Sequence, residues 1–182
     1  DGVPRLRLNG YYAPERFDIA LDYGARRQND GLAFRDYAAQ RAGQRTAQPL
    51  PANPPFLQPP YALARNRVAA QRPLLVLFEQ AGCADCVEFH RDILARWETK
   101  ELLQRFDAVQ LDMWSDVKLV KPDGSRTTAA DWARQLNIQY TPSLVFFDEQ
   151  GREVFRTEAY LRTFHVQSVL EYVASGAYRR QP

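Results

Sequence analysis

The hydrophobic residues of this chain form short apolar runs that are separated by amphipathic stretches. Residues 74–78 (Leu-Leu-Val-Leu-Phe) and 144–147 (Leu-Val-Phe-Phe) are apolar throughout, which is typical of strands buried on both faces. Residues 106–113 predict a further strand, because apolar side chains alternate from Val109 to Met113. These patterns predict the strands of a buried sheet.

Helical periodicity is found between and after these strands. Residues 98–105 are compatible with a short helix, and so are residues 61–71, which Pro73 separates from the first strand. Other predicted helices carry their apolar residues on one face: Phe89, Ile93 and Trp97 within residues 84–97; Ala129, Trp132, Ala133 and Leu136 after a cap at Thr127 or Thr128; and Val166, Val169, Leu170 and Val173 before Gly176.

Turn residues complete the order of elements. Lys121-Pro122-Asp123-Gly124 is a predicted turn, and Asp148-Glu149-Gln150-Gly151 leads into a strand through Val154 and Phe155. The predicted order is strand, helix, strand, helix, strand, strand, helix over residues 61–178. This order predicts an α/β domain with a mixed sheet that helices cover on both faces.

The first third of the chain has a different composition. Residues 49–60 contain six prolines in twelve positions, so we expect an extended connector, held to the domain through Phe56 and Leu57. Residues 1–48 form an N-terminal extension of unassigned role, too poor in apolar residues for its own core. Within this extension we predict one short helix through Leu32, Phe34, Tyr37 and Ala38. Asn29 or Asp30 would cap this helix and Gly43 would end it. We expect the extension to pack on the domain or on a partner.

Charge and hydropathy narrow the class of protein. The 182 residues carry a net charge of +2, with +5 in residues 1–73 and −3 in residues 74–182. Because the basic front lacks a recognisable nucleic-acid motif, we expect no nucleic-acid partner. No apolar stretch approaches the 18 or more residues of a membrane span. The numbering starts at Asp1, which is compatible with removal of a signal peptide.

Cys83 and Cys86 are the only cysteines, and they follow the apolar run 74–78 directly. A cysteine pair at the first turn of a helix, after a buried strand, predicts thiol redox chemistry. Two alternatives remain open: a zinc site that adds His90 and His165, and a purely structural disulfide. In redox chemistry we expect Cys83 to be the more exposed nucleophile and Cys86 the resolving cysteine.

The domain resembles the thioredoxin fold over residues 61–178. The resemblance rests on the strand before Cys83-Ala-Asp-Cys86, on Thr141-Pro142 before a strand, and on the closing hairpin and helix. It implies that Pro142 is cis and that Thr141 and Pro142 orient the backbone of a client protein beside the sulfurs. It requires no metal and no organic cofactor beyond the Cys83–Cys86 disulfide.

A narrower set of motifs resembles the SoxW type of periplasmic thioredoxin. The motifs are Phe78-Glu79-Gln80-Ala81-Gly82-Cys83, Phe89-His90-Arg91, Val109 to Trp114, Tyr140-Thr141-Pro142, Val145 to Asp148, and Tyr160-Leu161 with Phe164-His165. The resemblance implies an exported, periplasmic thiol-disulfide oxidoreductase, which we expect to be monomeric. It would take electrons from a membrane thiol donor and reduce disulfides or mixed disulfides of client proteins.

The sequence departs from the usual thioredoxin pattern near the cysteines. Gly82 replaces a common tryptophan, and Leu77 stands where many thioredoxins have a buried aspartate. Glu79 is a candidate replacement for proton transfer, or else an exposed glutamate at a strand end. His90 shares a helix face with Cys86 and is a second candidate, or else packs against the sheet through one hydrogen bond. His165 is expected to cap or pack at the last helix.

Several functions of this fold stay open at this point. Asp85 opposes a Cys83 thiolate, so we expect a reducing dithiol rather than a strong oxidant. A disulfide isomerase or oxidase, a cytochrome-maturation reductase, a non-catalytic binding module and a zinc-stabilised interaction domain are the alternatives.

Overall fold

The computed structural model describes residues 6–8, 14–25, 31–41, 50, 55–158 and 161–180. The strands are β1 (Tyr61–Ala62), β2 (Leu74–Glu79), β3 (Asp107–Asp112), β4 (Lys118–Val120), β5 (Arg126–Thr128), β6 (Ser143–Phe147) and β7 (Glu153–Thr157). The helices are α1 (Pro14–Ala25), α2 (Phe34–Arg41), α3 (Ala84–Phe89), α4 (Trp97–Leu103), α5 (Ala129–Gln135) and α6 (Thr163–Ala174). A π-helical turn (His90–Leu94) continues α3, and a 3₁₀ turn (Ala177–Arg180) follows α6.

The central sheet has the strand order β3-β2-β6-β7. Strands β2 and β3 are parallel, whereas β6 is antiparallel to both β2 and β7. Every residue of β2 and of β6 is buried, as their apolar runs predict. The chain therefore has the predicted mixed sheet.

Alternate residues of β2 face two separate apolar cores. Leu74, Val76 and Phe78 contribute to a core with Trp132 of α5. Leu75 and Leu77 contribute to the opposite core, where α3, α4, α6 and the π-helical turn provide Phe89, Ile93, Leu103, Val166 and Leu170. Helices thus cover both faces of the sheet, and Thr128 caps α5 through a hydrogen bond from the Asp131 N–H of 3.1 Å.

One predicted helix is wrong, and another is correct only in part. Residues 61–71 contain the short strand β1 and no helix, because Tyr61 and Ala62 pair in parallel with Leu119 and Val120. The helix predicted over 84–97 changes to π-helical hydrogen bonding at His90. This helix ends at Leu94, and the extended backbone of Arg96 separates it from α4, which begins at Trp97. Trp97 therefore does not share the face of Phe89 and Ile93, and it is 65% exposed.

A second sheet was missing from the prediction. It has the order β1-β4-β5. The predicted turn at residues 121–124 joins β4 to β5, with Gly124 at a φ of 85°. Gly124 is required there because side chains rarely tolerate this conformation.

In the described part of the N-terminal extension, helix α2 packs on the domain, which is one of the two alternatives predicted for it. Helix α2 contains Phe34, Tyr37 and Ala38 of the predicted helix, whereas its proposed caps and Gly43 lie outside the described residues. Helix α1 was not predicted. In the connector, Phe56 packs against the α3 side of the core, and the Leu57 N–H donates to Ala108 O at 2.8 Å.

Candidate redox site

Cys83 and Cys86 form a disulfide at the start of α3. The buried strand β2 ends at Glu79, and Gly82 turns the chain with a φ of 70°. Cys83 is the N-cap of α3, and its Sγ accepts a hydrogen bond of 3.0 Å from the backbone N–H of Cys86. The sequence therefore places the pair at the strand-to-helix junction, where it was predicted.

The two cysteines are almost equally withdrawn from solvent. Cys83 is 2% exposed and Cys86 is 1% exposed. The expectation that Cys83 is distinctly more accessible is not met in this disulfide form.

Thr141 and Pro142 lie beside Cys83. The peptide bond between Thr141 and Pro142 is cis. The carbonyl oxygen of Thr141 is 3.8 Å from Cys83 Sγ, and the Thr141 hydroxyl donates towards the same sulfur at 3.5 Å. Ser143, the first residue of β6, anchors this loop through a hydrogen bond to Tyr140 O of 2.8 Å. The fold thus joins two motifs that are 58 residues apart.

Glu79, at the end of β2, and His90, directly after α3, form a buried pair. Glu79 is 0% exposed, so the alternative of an exposed glutamate at a strand end is wrong. His90 Nε2 lies 3.0 Å from Oε1 and 2.9 Å from Oε2 of Glu79. His90 is packed against the sheet, which was one of the two predictions for it. The centroids of the His90 and Phe56 rings are 6.4 Å apart.

Gln110 and Trp114 complete this region, and the sequence analysis missed both. The Gln110 side-chain amide donates to Glu79 Oε2 at 2.6 Å. Trp114 Nε1 donates to Gln80 Oε1 at 2.8 Å, which holds the loop that leads to Cys83. The signal for Gln110 was available, since it is a polar residue inside a strand of a sheet covered on both faces. Its partner could not be found from spacing alone.

Asp85 and His165 are the other two polar residues that the sequence singled out. Asp85 is half-buried in the first turn of α3. His165 is exposed on α6, where its ring lies 5.7 Å from the Phe164 ring. Within the described ranges, His, Cys, Asp and Glu side chains form no group suited to a metal ion. No helix among these residues is long and apolar enough to span a membrane.

A buried sheet, a disulfide at the following helix and a cis proline beside it define a thioredoxin-fold protein. The profile of the thioredoxin-like domain family matches residues 62–174. The chain belongs to this family. The comparison with curated proteins found no match.

Solved structures agree on the fold. A thioredoxin-fold protein from Helicobacter pylori is similar with a TM-score of 0.56 and 20% identity, over 66% of this chain and 78% of that chain. The oxidoreductase DsbH is similar at 19% identity over 75% of this chain and 96% of its own, with a TM-score of 0.48. The periplasmic thioredoxin SoxS from Paracoccus pantotrophus is similar at 19% identity over 58% of this chain and 99% of its own, with a TM-score of 0.41. The last two similarities are too weak to add to the argument.

Proposed function

We propose that this protein is a thiol-disulfide oxidoreductase that reduces disulfides or mixed disulfides of client proteins through Cys83 and Cys86. The observation that carries the proposal is the Cys83–Cys86 disulfide at the start of α3, with Thr141 against Cys83 Sγ. A structural role for so small a ring is disfavoured, because a disulfide stabilises more when it closes a longer loop.

The exchange proceeds in two steps from the dithiol form. The Cys83 thiolate attacks one sulfur of a client disulfide, forms a mixed disulfide and releases the other client sulfur as a thiolate. The Cys86 thiolate then attacks Cys83 Sγ, which forms the Cys83–Cys86 disulfide and releases the second client sulfur. Two electrons pass to the client, and its two thiolates take up two protons.

Thr141 and Pro142 are proposed to hold the client. Pro142 has no N–H, and an extended client segment would lie along the backbone of this loop. Such a position would bring the client disulfide to Cys83, because Thr141 lies against this sulfur. These residues therefore act in positioning rather than in bond making.

Glu79 and His90 are proposed to transfer protons to and from Cys86. Cys86 is 1% exposed and has little access to bulk water. His90 begins the π-helical turn that continues the helix of Cys86, and its backbone N–H bonds to Cys86 O. A buried titratable pair one turn from a buried thiol is suited to move a proton there.

The proposal also includes the compartment in which the protein acts and the donor that reduces its disulfide. The motifs that resemble SoxW-type thioredoxins favour an exported protein in the periplasm, whose dithiol is restored by a membrane thiol donor. This donor would supply two electrons per cycle by the reverse exchange, in which its thiolate attacks the Cys83–Cys86 disulfide. The clients are protein disulfides, and no further cofactor is proposed.

A redox titration tests the proposal. The full chain is equilibrated with dithiothreitol or glutathione buffers, and the fraction of disulfide is read by alkylation and mass. A reversible two-electron transition around −270 mV, the value of thioredoxin, supports a reductant. A much more oxidising value would favour an isomerase or oxidase, and the absence of any transition would favour a binding module. Zinc analysis of the protein purified without added metal tests the zinc alternative.

A further inference from the structure

The N-terminal part of the chain contacts the loop before Thr141 directly, and it reaches the loop before Cys83 through Trp114. We call residues 31–41, which include helix α2, the N-terminal arm. Phe34, Arg35 and Tyr37 of this arm are 6%, 4% and 8% exposed. An arginine as buried as Arg35 is uncommon, because arginine is almost never fully buried unless it is paired.

The first loop is the one that ends in Thr141 and Pro142. The backbone N–H of Arg35 donates to Gln139 Oε1 at 3.2 Å. The ring of Phe34 packs on the ring of Tyr140, with 5.5 Å between the centroids. The arm therefore holds the two residues immediately before Thr141, which itself contacts Cys83 Sγ.

The second loop runs from β2 to Cys83. The Arg35 guanidinium lies over the Trp114 ring, 4.6 Å from its centroid. Trp114 in turn holds Gln80 through its Nε1, three residues before Cys83. One arginine thus connects the arm to the loop on the other side of the reactive cysteine.

Helix α1 supports the arm from behind. The Tyr23 ring packs edge-on against the rings of Phe34 and Tyr37, with 5.3 Å between centroids in each pair. The Tyr23 hydroxyl donates to Leu32 O at 2.9 Å. Helix α1 and the arm are therefore packed against each other as one unit.

Exchange needs an incoming sulfur in contact with Cys83 Sγ, yet Cys83 is 2% exposed. Strands β2 and β6 lie in the cores, whose opening approaches global unfolding. The arm instead touches the domain through loops. We propose that the N-terminal arm is an intramolecular cover over the Cys83–Cys86 disulfide, which must move aside before a client or donor can react. This inference rests on the proposed thiol-disulfide exchange at the same disulfide.

The test measures how fast dithiothreitol reduces the oxidised full-length protein, by alkylation quench and mass. Arg35→Ala removes the contact with Trp114, and Gln139→Ala removes the acceptor on the domain side. If the covered form limits the rate, Arg35→Ala should react about threefold to tenfold faster, since a stacked guanidinium contributes about that factor. Gln139→Ala should react about twofold or more faster.

Arg41→Ala is the matched control. It removes a guanidinium from the same helix, but Arg41 pairs with Asp22 and stacks on Tyr37 rather than on the domain. Its rate should equal that of the wild type. Hydrogen exchange should show faster exchange of α2 amides in Arg35→Ala and Gln139→Ala.

The two proposals fail in different ways. If dithiothreitol reduces neither the wild type nor any variant, the proposed redox function fails. If it reduces the wild type, and both Gln139→Ala and a Phe34→Ala/Arg35→Ala double variant react at the wild-type rate, the cover is overturned and the redox function stands. Because Gln139 lies on the domain surface, its variant keeps the test valid if the double variant does not fold.

Discussion

His90 Nε2 lies within 3.0 Å of both carboxylate oxygens of Glu79, and both side chains are buried. Burying a carboxylate is unfavourable unless its oxygens are hydrogen-bonded. His90 and the Gln110 amide supply these hydrogen bonds. Glu79 ends the strand that leads to Cys83, and His90 follows the end of helix α3, which contains Cys86. A titratable pair in this position is the basis of the first prediction.

Glu79→Gln should slow the reduction of a client disulfide by about a hundredfold or more, because positioned acid-base groups contribute about a hundredfold to ten-thousandfold. Glutamine keeps the size of the side chain and removes the charge. Stopped-flow kinetics with insulin as a disulfide substrate measures the effect.

Asp148→Asn is the control for this prediction. It neutralises another buried carboxylate, which lies after β6 and is held by Arg152 rather than by a redox residue. Its rates should match the wild type. A Glu79→Gln variant with unchanged kinetics and lowered stability would assign Glu79 a structural role only.

Cys86→Ser should trap mixed disulfides between Cys83 and its clients, because the second step of the exchange cannot occur. Thiol trapping followed by non-reducing electrophoresis and mass spectrometry detects the adducts. Cys83→Ser should trap almost none, since the thiol beside Thr141 is then missing. The reverse pattern would exchange the roles of the two cysteines.

The position of the redox motif could be predicted from the sequence because it depends on local order. A wholly apolar strand, a glycine and a cysteine pair fix the strand-to-helix junction, and Thr141-Pro142 marks the second loop. The environment of Glu79 could not be predicted in the same way. Its burial depends on His90 and on Gln110 of a neighbouring strand, so it is a result of tertiary contacts.

The helix that contains Cys86 could be predicted only in part from the sequence. Its prediction assumed one period throughout and placed Phe89, Ile93 and Trp97 on one face. The helix ends after the π-helical turn His90–Leu94, and Arg96 is extended, so Ile93 is buried while Trp97 begins a separate helix and is exposed. Strand β1 was missed because a strand of two residues has no readable period, and only its pairing with β4 defines it.

Leu77→Asp tests whether the usual thioredoxin carboxylate could be restored beside Glu79. Leu77 is 0% exposed and lies on the same face of β2 as Glu79, among the apolar residues of the α3 side. An aspartate there would be a buried charge without a partner. We expect it to lower the free energy of unfolding by about 2 kcal/mol or more beyond Leu77→Asn, the uncharged control. Urea unfolding at pH 7 measures the difference, and equal stability of the two variants would contradict it.

Asp148 should make the stability of the fold depend on pH at the acidic end. Burial, the largest single influence, would raise the pKa of Asp148, but hydrogen bonds from Arg152 and the Gln150 N–H together with the Arg152 charge outweigh it and lower that pKa. A pKa that is lower in the folded state stabilises the protein above the ordinary value of about 4. This contribution is lost as the pH falls through the pKa that Asp148 has in the folded state.

Asp148→Asn should therefore lower the free energy of unfolding, measured with urea at pH 7, by about 2 kcal/mol. The difference from the wild type should narrow well below pH 4, whereas a difference that is the same at pH 7 and pH 3 would rule out a contribution from the carboxylate charge.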